Sequence, residues 1–187
     1  MAVNSFMVPL GTPAPDFDLP SISGGRVSLS DLKGSPAVLV IFLSNHCPYV
    51  RRIEHGIGAF AADYRGRVAT VGICSNDVVN YPDDDVPHLI EQARRAGFDF
   101  PYLVDESQEV AKAYRAACTP DFFLYDADLR LAYRGEFDEA RPGNDLPVTG
   151  ASLRAAADAV LAGEAPPEPQ RPSLGCGVKW RPGNEPA

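Results

Sequence analysis

The chain alternates between short apolar runs and amphipathic stretches, and its longest apolar run, Ala37 to Leu43, is a natural starting point. Residues 36–43 read as a strand of the kind buried on both faces of a parallel sheet. Three polar residues, Ser44-Asn-His46, follow, and then Cys47 and Pro48. Beyond them Val50, Ile53, Ile57, Phe60, Ala61 and Tyr64 fall on a 3.6-residue stripe, which predicts a helix with Pro48 at its first position. Cys47 lies one turn before Val50 on the same stripe. The layout therefore places Cys47 at a helix N-terminus beyond the carboxyl end of a buried strand.

Further along, 67–75 reads as a second strand and 76–87 as a polar loop. Residues 88–96 form a short helix stopped by Gly97, and 102–104 a brief strand. Residues 108–116 are helical. Segments 122–125 and 130–134 flank an Asp126-Ala-Asp128 turn and should pair antiparallel. Residues 152–161 form an Ala-rich helix. Near the start, 17–19 and 26–29 flank Ser23-Gly-Gly25 as a hairpin, followed by a Ser-capped turn over 30–33. The expected architecture is an α/β fold with a mixed sheet flanked by helices and an N-terminal β-hairpin extension. Residues 1–162 make one domain; 163–187 read as a Pro-rich, flexible C-terminal tail carrying Cys176.

The chain has 187 residues, enough for one domain with a full core. A net charge of −8 argues against nucleic acid and anionic membranes as partners. No apolar run is long enough to cross a bilayer, and the first residues show no signal-peptide pattern, so the expected location is cytoplasmic. The four cysteines, Cys47, Cys74, Cys118 and Cys176, form no Cys-x-x-Cys pair, and the three histidines show no ligand spacing with them. The expected chemistry needs no metal or organic cofactor. Asp83-Asp-Asp85 reads as part of a solvated loop.

Cys47 carries the chemistry in this reading. A helix N-terminus favours the thiolate, the form that attacks disulfides and peroxides. Arg51, four residues on, can reach back toward the sulfur. Arg52 reads as a solvated side chain. His46 either polarises Cys47 or forms part of the rim. Cys74, at the end of an apolar strand, reads as buried and inert.

The order βαβ, a cysteine after the first core strand, and Thr119-Pro120 leading into an antiparallel hairpin resemble the thioredoxin fold. The opening Gly11-Thr-Pro-Ala-Pro-Asp-Phe-Asp-Leu19 is similar to the start of the peroxiredoxin and redoxin branch. The tail Pro172-Ser-Leu-Gly-Cys-Gly-Val-Lys-Trp180 resembles that of a bacterial peroxiredoxin-like subgroup. The resemblance covers roughly residues 11–162. It implies a cis Pro120 beside the active cysteine and a Thr119 backbone edge open to an extended peptide, with Pro48 and His46 bordering that groove. It implies a thiol-dependent oxidoreductase of antioxidant type acting on a peroxide or a protein disulfide, with a thiol reductant such as a thioredoxin. A homodimer is left open.

The chain departs from both of the patterns it resembles. Val50 replaces the second thiol of Cys-x-x-Cys, and Val40 stands where the peroxidase motif Pro-x-x-x-Thr/Ser-x-x-Cys has proline. Cys47 therefore needs a resolving thiol from Cys118, Cys176 or outside. Cys118 ranks first, as a near neighbour on the loop facing Cys47, and Cys176 second. The rival reading is a redox-silent binding module that keeps the fold and uses the Thr119-Pro120 groove.

Overall fold

The computed structural model describes residues 1–187. In chain order it contains β1 (Ala2–Asn4), β2 (Asp18–Pro20), β3 (Arg26–Ser28), β4 (Ala37–Phe42), α1 (Pro48–Asp63), β5 (Val68–Cys74), α2 (Val86–Ala96) and β6 (Tyr102–Val104). There follow α3 (Glu109–Tyr114), β7 (Cys118–Thr119), β8 (Asp121–Asp126), β9 (Leu131–Gly135), α4 (Ala151–Leu161) and β10 (Leu174–Gly177). The fold is thioredoxin-like. Its central sheet runs β6-β5-β4-β8-β9, with β4, β5 and β6 parallel, β8 antiparallel to β4, and β9 antiparallel to β8. The hairpin β2-β3 is the expected N-terminal extension.

Alternation along the central strands divides the core in two. Leu39, Ile41, Phe122 and Leu124 face α1 and α4, meeting Ile53, Ile57, Phe60, Leu153 and Ala156. Val38, Val40, Phe42, Phe123 and Tyr125 face the other way, toward Ala111 and Tyr114 of α3 and Phe17 and Leu29 of the N-terminal segment. β4 is buried at every position, as its unbroken apolar run requires. Helices α1 and α2 approach so closely at Gly58 that a Cβ there would lie 2.2 Å from the Ala96 carbonyl oxygen.

Two expectations are corrected. Helix α2 starts at Val86, two residues earlier than periodicity suggests, because Asp85 caps it by accepting from the His88 N–H and Pro87 suits the first turn. The larger correction concerns the tail. Residues 163–187 are not a free appendage. β10 is the middle strand of a second sheet, β1-β10-β7, pairing Cys176 with Thr119 and Gly177 with Cys118 on one side and Cys176 with Ala2 on the other. Prolines exclude helix but leave extended backbone intact, and Pro-free 173–180 supplies the donors that such pairing needs.

Candidate active site

Cys47 is the N-cap of α1, and Pro48 takes the first helical position, as the sequence pattern requires. Its residue is wholly shielded from solvent, and its Sγ donates to the Thr119 carbonyl oxygen at 3.1 Å. Thr119-Pro120 is a cis peptide, as the resemblance implies. The Thr119 hydroxyl meets the Ser44 hydroxyl at 3.3 Å, and Ser44 Oγ also accepts the Cys47 N–H. β4 thus delivers the thiol to the loop between β7 and β8, at the end of the sheet where open α/β folds build their sites.

The loop 44–46 is held from several sides. Asp84, which is buried, accepts from the backbone N–H groups of Asn45 and His46. Its other oxygen lies 2.6 Å from His46 Nδ1 and accepts from Asn76 Nδ2 at 2.8 Å. The imidazole stacks on Tyr81, with ring centroids 5.5 Å apart. Burial alone would raise the Asp84 carboxyl, but hydrogen bonds and charge from His46, with Asn76, hold it below the usual carboxylate range. Gln92 donates to the Ser44 carbonyl, and Arg95 bridges buried Glu54 to Asn45 Oδ1.

This network corrects the reading of Asp83-Asp-Asp85 as a solvated loop. Asp84 is the structural keystone of the loop before Cys47, and nothing local distinguishes which aspartate of the three turns inward. Arg51 is also corrected. Its guanidinium bonds the Asn45 carbonyl at 2.7 Å and faces Asn45 Oδ1, so it braces the loop instead of the sulfur. Arg52 is not simply solvated; it donates to the Leu146 carbonyl at 2.6 Å.

Asp84→Asn tests the network. A charge-assisted hydrogen bond contributes about 1.5–3 kcal/mol, so the variant should lose on the order of 2 kcal/mol at pH 7. Because the folded-state pKa is depressed, that stabilisation is present above the unfolded pKa of about 3.9 and is lost as pH falls through the folded value. Urea midpoints of the two proteins should therefore differ at pH 7 and converge in acid.

The three remaining thiols separate clearly. Cys74 is buried in β5, as expected, with its pKa raised by burial. Directly opposed residues of an antiparallel pair share one face of the sheet. Cys176 is opposite Thr119, whose hydroxyl points to Ser44, so Cys176 lies on the Cys47 side. It packs against the core cluster that contains Cys47. Its pKa is pushed up to about 11 by burial first, then by hydrogen bonding and charge from Cys47. Cys118 opposes Gly177 on the other face, and its Sγ points at the Pro120 carbonyl. Burial drives its pKa far up, and the Asp121 charge adds to this. Cys176, and not Cys118 as expected, is thus the thiol placed toward Cys47, because strand alternation turns Cys118 away. Asp121 is itself wholly buried and pushed up to about 7 by burial, with one carboxylate oxygen unpartnered.

The Thr119 edge, expected to be open to a peptide, is filled by the chain's own β10. Gly175 is required there: a Cβ would lie 2.1 Å from the Thr119 carbonyl oxygen and 2.6 Å from its carbon. Ser173 Oγ donates to the Pro120 carbonyl at 2.7 Å. Past the site, Lys179 pairs with Asn76 and Asp77, its ammonium lies 5.6 Å from the Tyr81 ring centroid, and Arg181 and Asn184 bond Gln108. The tail is a strap fastened on both sides of Cys47. No three His, Cys, Asp or Glu side chains gather closely enough to hold a metal ion, and no helix is long and apolar enough to cross a membrane.

The chain belongs to the AhpC/TSA family, which matches residues 10–134. Two solved structures are similar along almost the whole chain. One is an uncharacterized conserved protein from Geobacillus kaustophilus, 49% identical with a TM-score of 0.94 over 97% of each chain. The other is a hypothetical protein from Sinorhizobium meliloti, 51% identical with a TM-score of 0.94 over 96% of this chain and 99% of that one. A secreted disulfide oxidoreductase from Mycobacterium tuberculosis shares the fold at 19% identity, with a TM-score of 0.60 over 76% of this chain and 95% of that one. Among curated proteins none matches.

Proposed function

We propose that the protein is a thiol–disulfide oxidoreductase in which Cys47 is the nucleophile and Cys176 the resolving thiol. The observation that carries this reading is the Cys176 thiol presented to Cys47 by β10, at the N-terminus of α1. Cys47 thiolate attacks one sulfur of a substrate disulfide, and the other sulfur leaves as a thiol after taking a proton. Cys176 then attacks Cys47 Sγ, releases the second substrate thiol and leaves a Cys47–Cys176 disulfide. An external dithiol such as a thioredoxin returns both thiols. No metal or organic cofactor enters. The setting in this reading is the cytoplasm, where thiols are kept reduced.

Peroxide reduction would use the same sulfur through a sulfenate. The geometry favours disulfide exchange over it, since Arg51 is committed to Asn45 and Val40 holds the place of the peroxidase proline. A paired assay tests the order. With a dithiol reductant present, wild type should reduce insulin disulfides well above the uncatalysed rate and consume hydrogen peroxide no faster than a free cysteine. Peroxide turnover exceeding disulfide turnover would put the peroxidase first. Turnover of neither would favour the redox-silent binding module.

A further inference from the structure

We propose that the Thr119-Pro120 edge, once β10 lifts, selects the glutathionyl half of mixed disulfides, so that S-glutathionylated thiols are the substrate class. This rests on the reading of Cys47 as the attacking thiol.

β10 already shows what fits the edge. It lays a cysteine opposite Thr119 with its thiol toward Cys47, and the residue before that cysteine is Gly175. The Cβ contact at Gly175 is with backbone atoms of Thr119 and Pro120, which have no rotamer by which to yield. Any competing peptide must therefore also carry an unbranched carbon in that position. An α-linked residue other than glycine does not. Glutathione does, because its glutamate is joined to cysteine through the γ-carboxyl, and the atom standing where Gly175 Cα lies is a plain CH2. The position after the cysteine is undemanding: a Cβ at Gly177 meets only Val3 Cγ2, at 3.8 Å. β7 is two residues long, so the edge suits a tripeptide better than a long strand.

In the reaction Cys47 thiolate attacks the glutathionyl sulfur, the S–S bond breaks, and the partner sulfur leaves as a thiolate that takes a proton. Cys47 is then joined to glutathione. Cys176 thiolate then attacks Cys47 Sγ, releases the glutathione thiol and leaves the Cys47–Cys176 disulfide, which two further glutathione molecules reduce, leaving as glutathione disulfide. Two glutathione molecules supply the two electrons.

The test uses the reduced full chain carrying Cys176→Ser, in which a Cys47 adduct persists, and three symmetrical disulfides: those of glutathione, of γ-glutamylcysteine, and of the isomeric α-linked Glu-Cys-Gly. The rate of the Cys47 adduct is followed by intact mass, with Cys47→Ser as the blank. Glutathione and γ-glutamylcysteine disulfides should react within about twofold of each other, and the α-linked isomer at least about tenfold more slowly. Gly175→Ala should speed all three and leave their ratio unchanged, because the selecting atoms belong to Thr119 and Pro120. An α-linked isomer that reacts as fast as glutathione overturns the proposal and leaves the Cys47 reading intact. A Cys47 that forms no adduct with any of them overturns both.

Discussion

Cys47→Ser is expected to lower disulfide reductase turnover by at least about a thousandfold, to the uncatalysed rate. Cys176 cannot stand in for it. Burial raises its pKa even without Cys47, and it sits on a strand with no helix N-terminus to favour its thiolate. The serine variant should keep its fold, since the change is nearly isosteric and a hydroxyl can donate to the Thr119 carbonyl as the thiol does. Cys176→Ser should behave differently. The first attack survives, and the protein stalls as a mixed disulfide between Cys47 and the substrate, visible as a stoichiometric mass increase. Steady-state assays with the mass of the quenched protein read both results. Equal turnover in Cys47→Ser and wild type would remove Cys47 from the chemistry.

Gly175→Ala is expected to expose Cys47. The residue is wholly shielded in the closed state, so attack on any external substrate requires the strap to lift. Overpacking against backbone costs typically about 1–3 kcal/mol. If most of that strain is relieved by opening β10, the open population rises by about 5- to 150-fold, since about 1.4 kcal/mol is a factor of ten. Alkylation of Cys47 under conditions where the strap recloses faster than the reagent reacts should rise by that factor. Gly177→Ala is the control: its new Cβ meets only Val3 at 3.8 Å, and Cys47 reactivity should match wild type. If Gly175→Ala alkylates no faster than Gly177→Ala, β10 is not the barrier.

The sequence pattern revealed the elements with a strong local cause. The apolar run of β4, the stripe of α1 and the Pro48 start placed Cys47 correctly, and the β8-β9 hairpin followed from its turn. The positions it missed depend on contacts distant along the chain. Asp84 bonds residues 39 and 38 positions away, and nothing local marks it off from Asp83 and Asp85. Arg51 is the right distance from Cys47 on the helix, yet the Asn45 carbonyl is an open acceptor that claims it. The tail looked irregular because its strand is short and glycine-rich, with no apolar alternation to betray pairing. Its partner, β7, is two residues long and equally silent. The reversal between Cys118 and Cys176 follows from one register fact, that Cys176 and not Gly177 stands opposite Thr119.

The central claim is that Cys176 resolves Cys47. The direct measurement is peptide mapping without reduction, after the reduced chain is oxidised with one equivalent of diamide and its remaining thiols are blocked. A single Cys47–Cys176 linkage is expected, with Cys74 and Cys118 recovered as blocked thiols. A Cys47–Cys118 linkage, or a Cys47 left unlinked while Cys176 stays free, would contradict it.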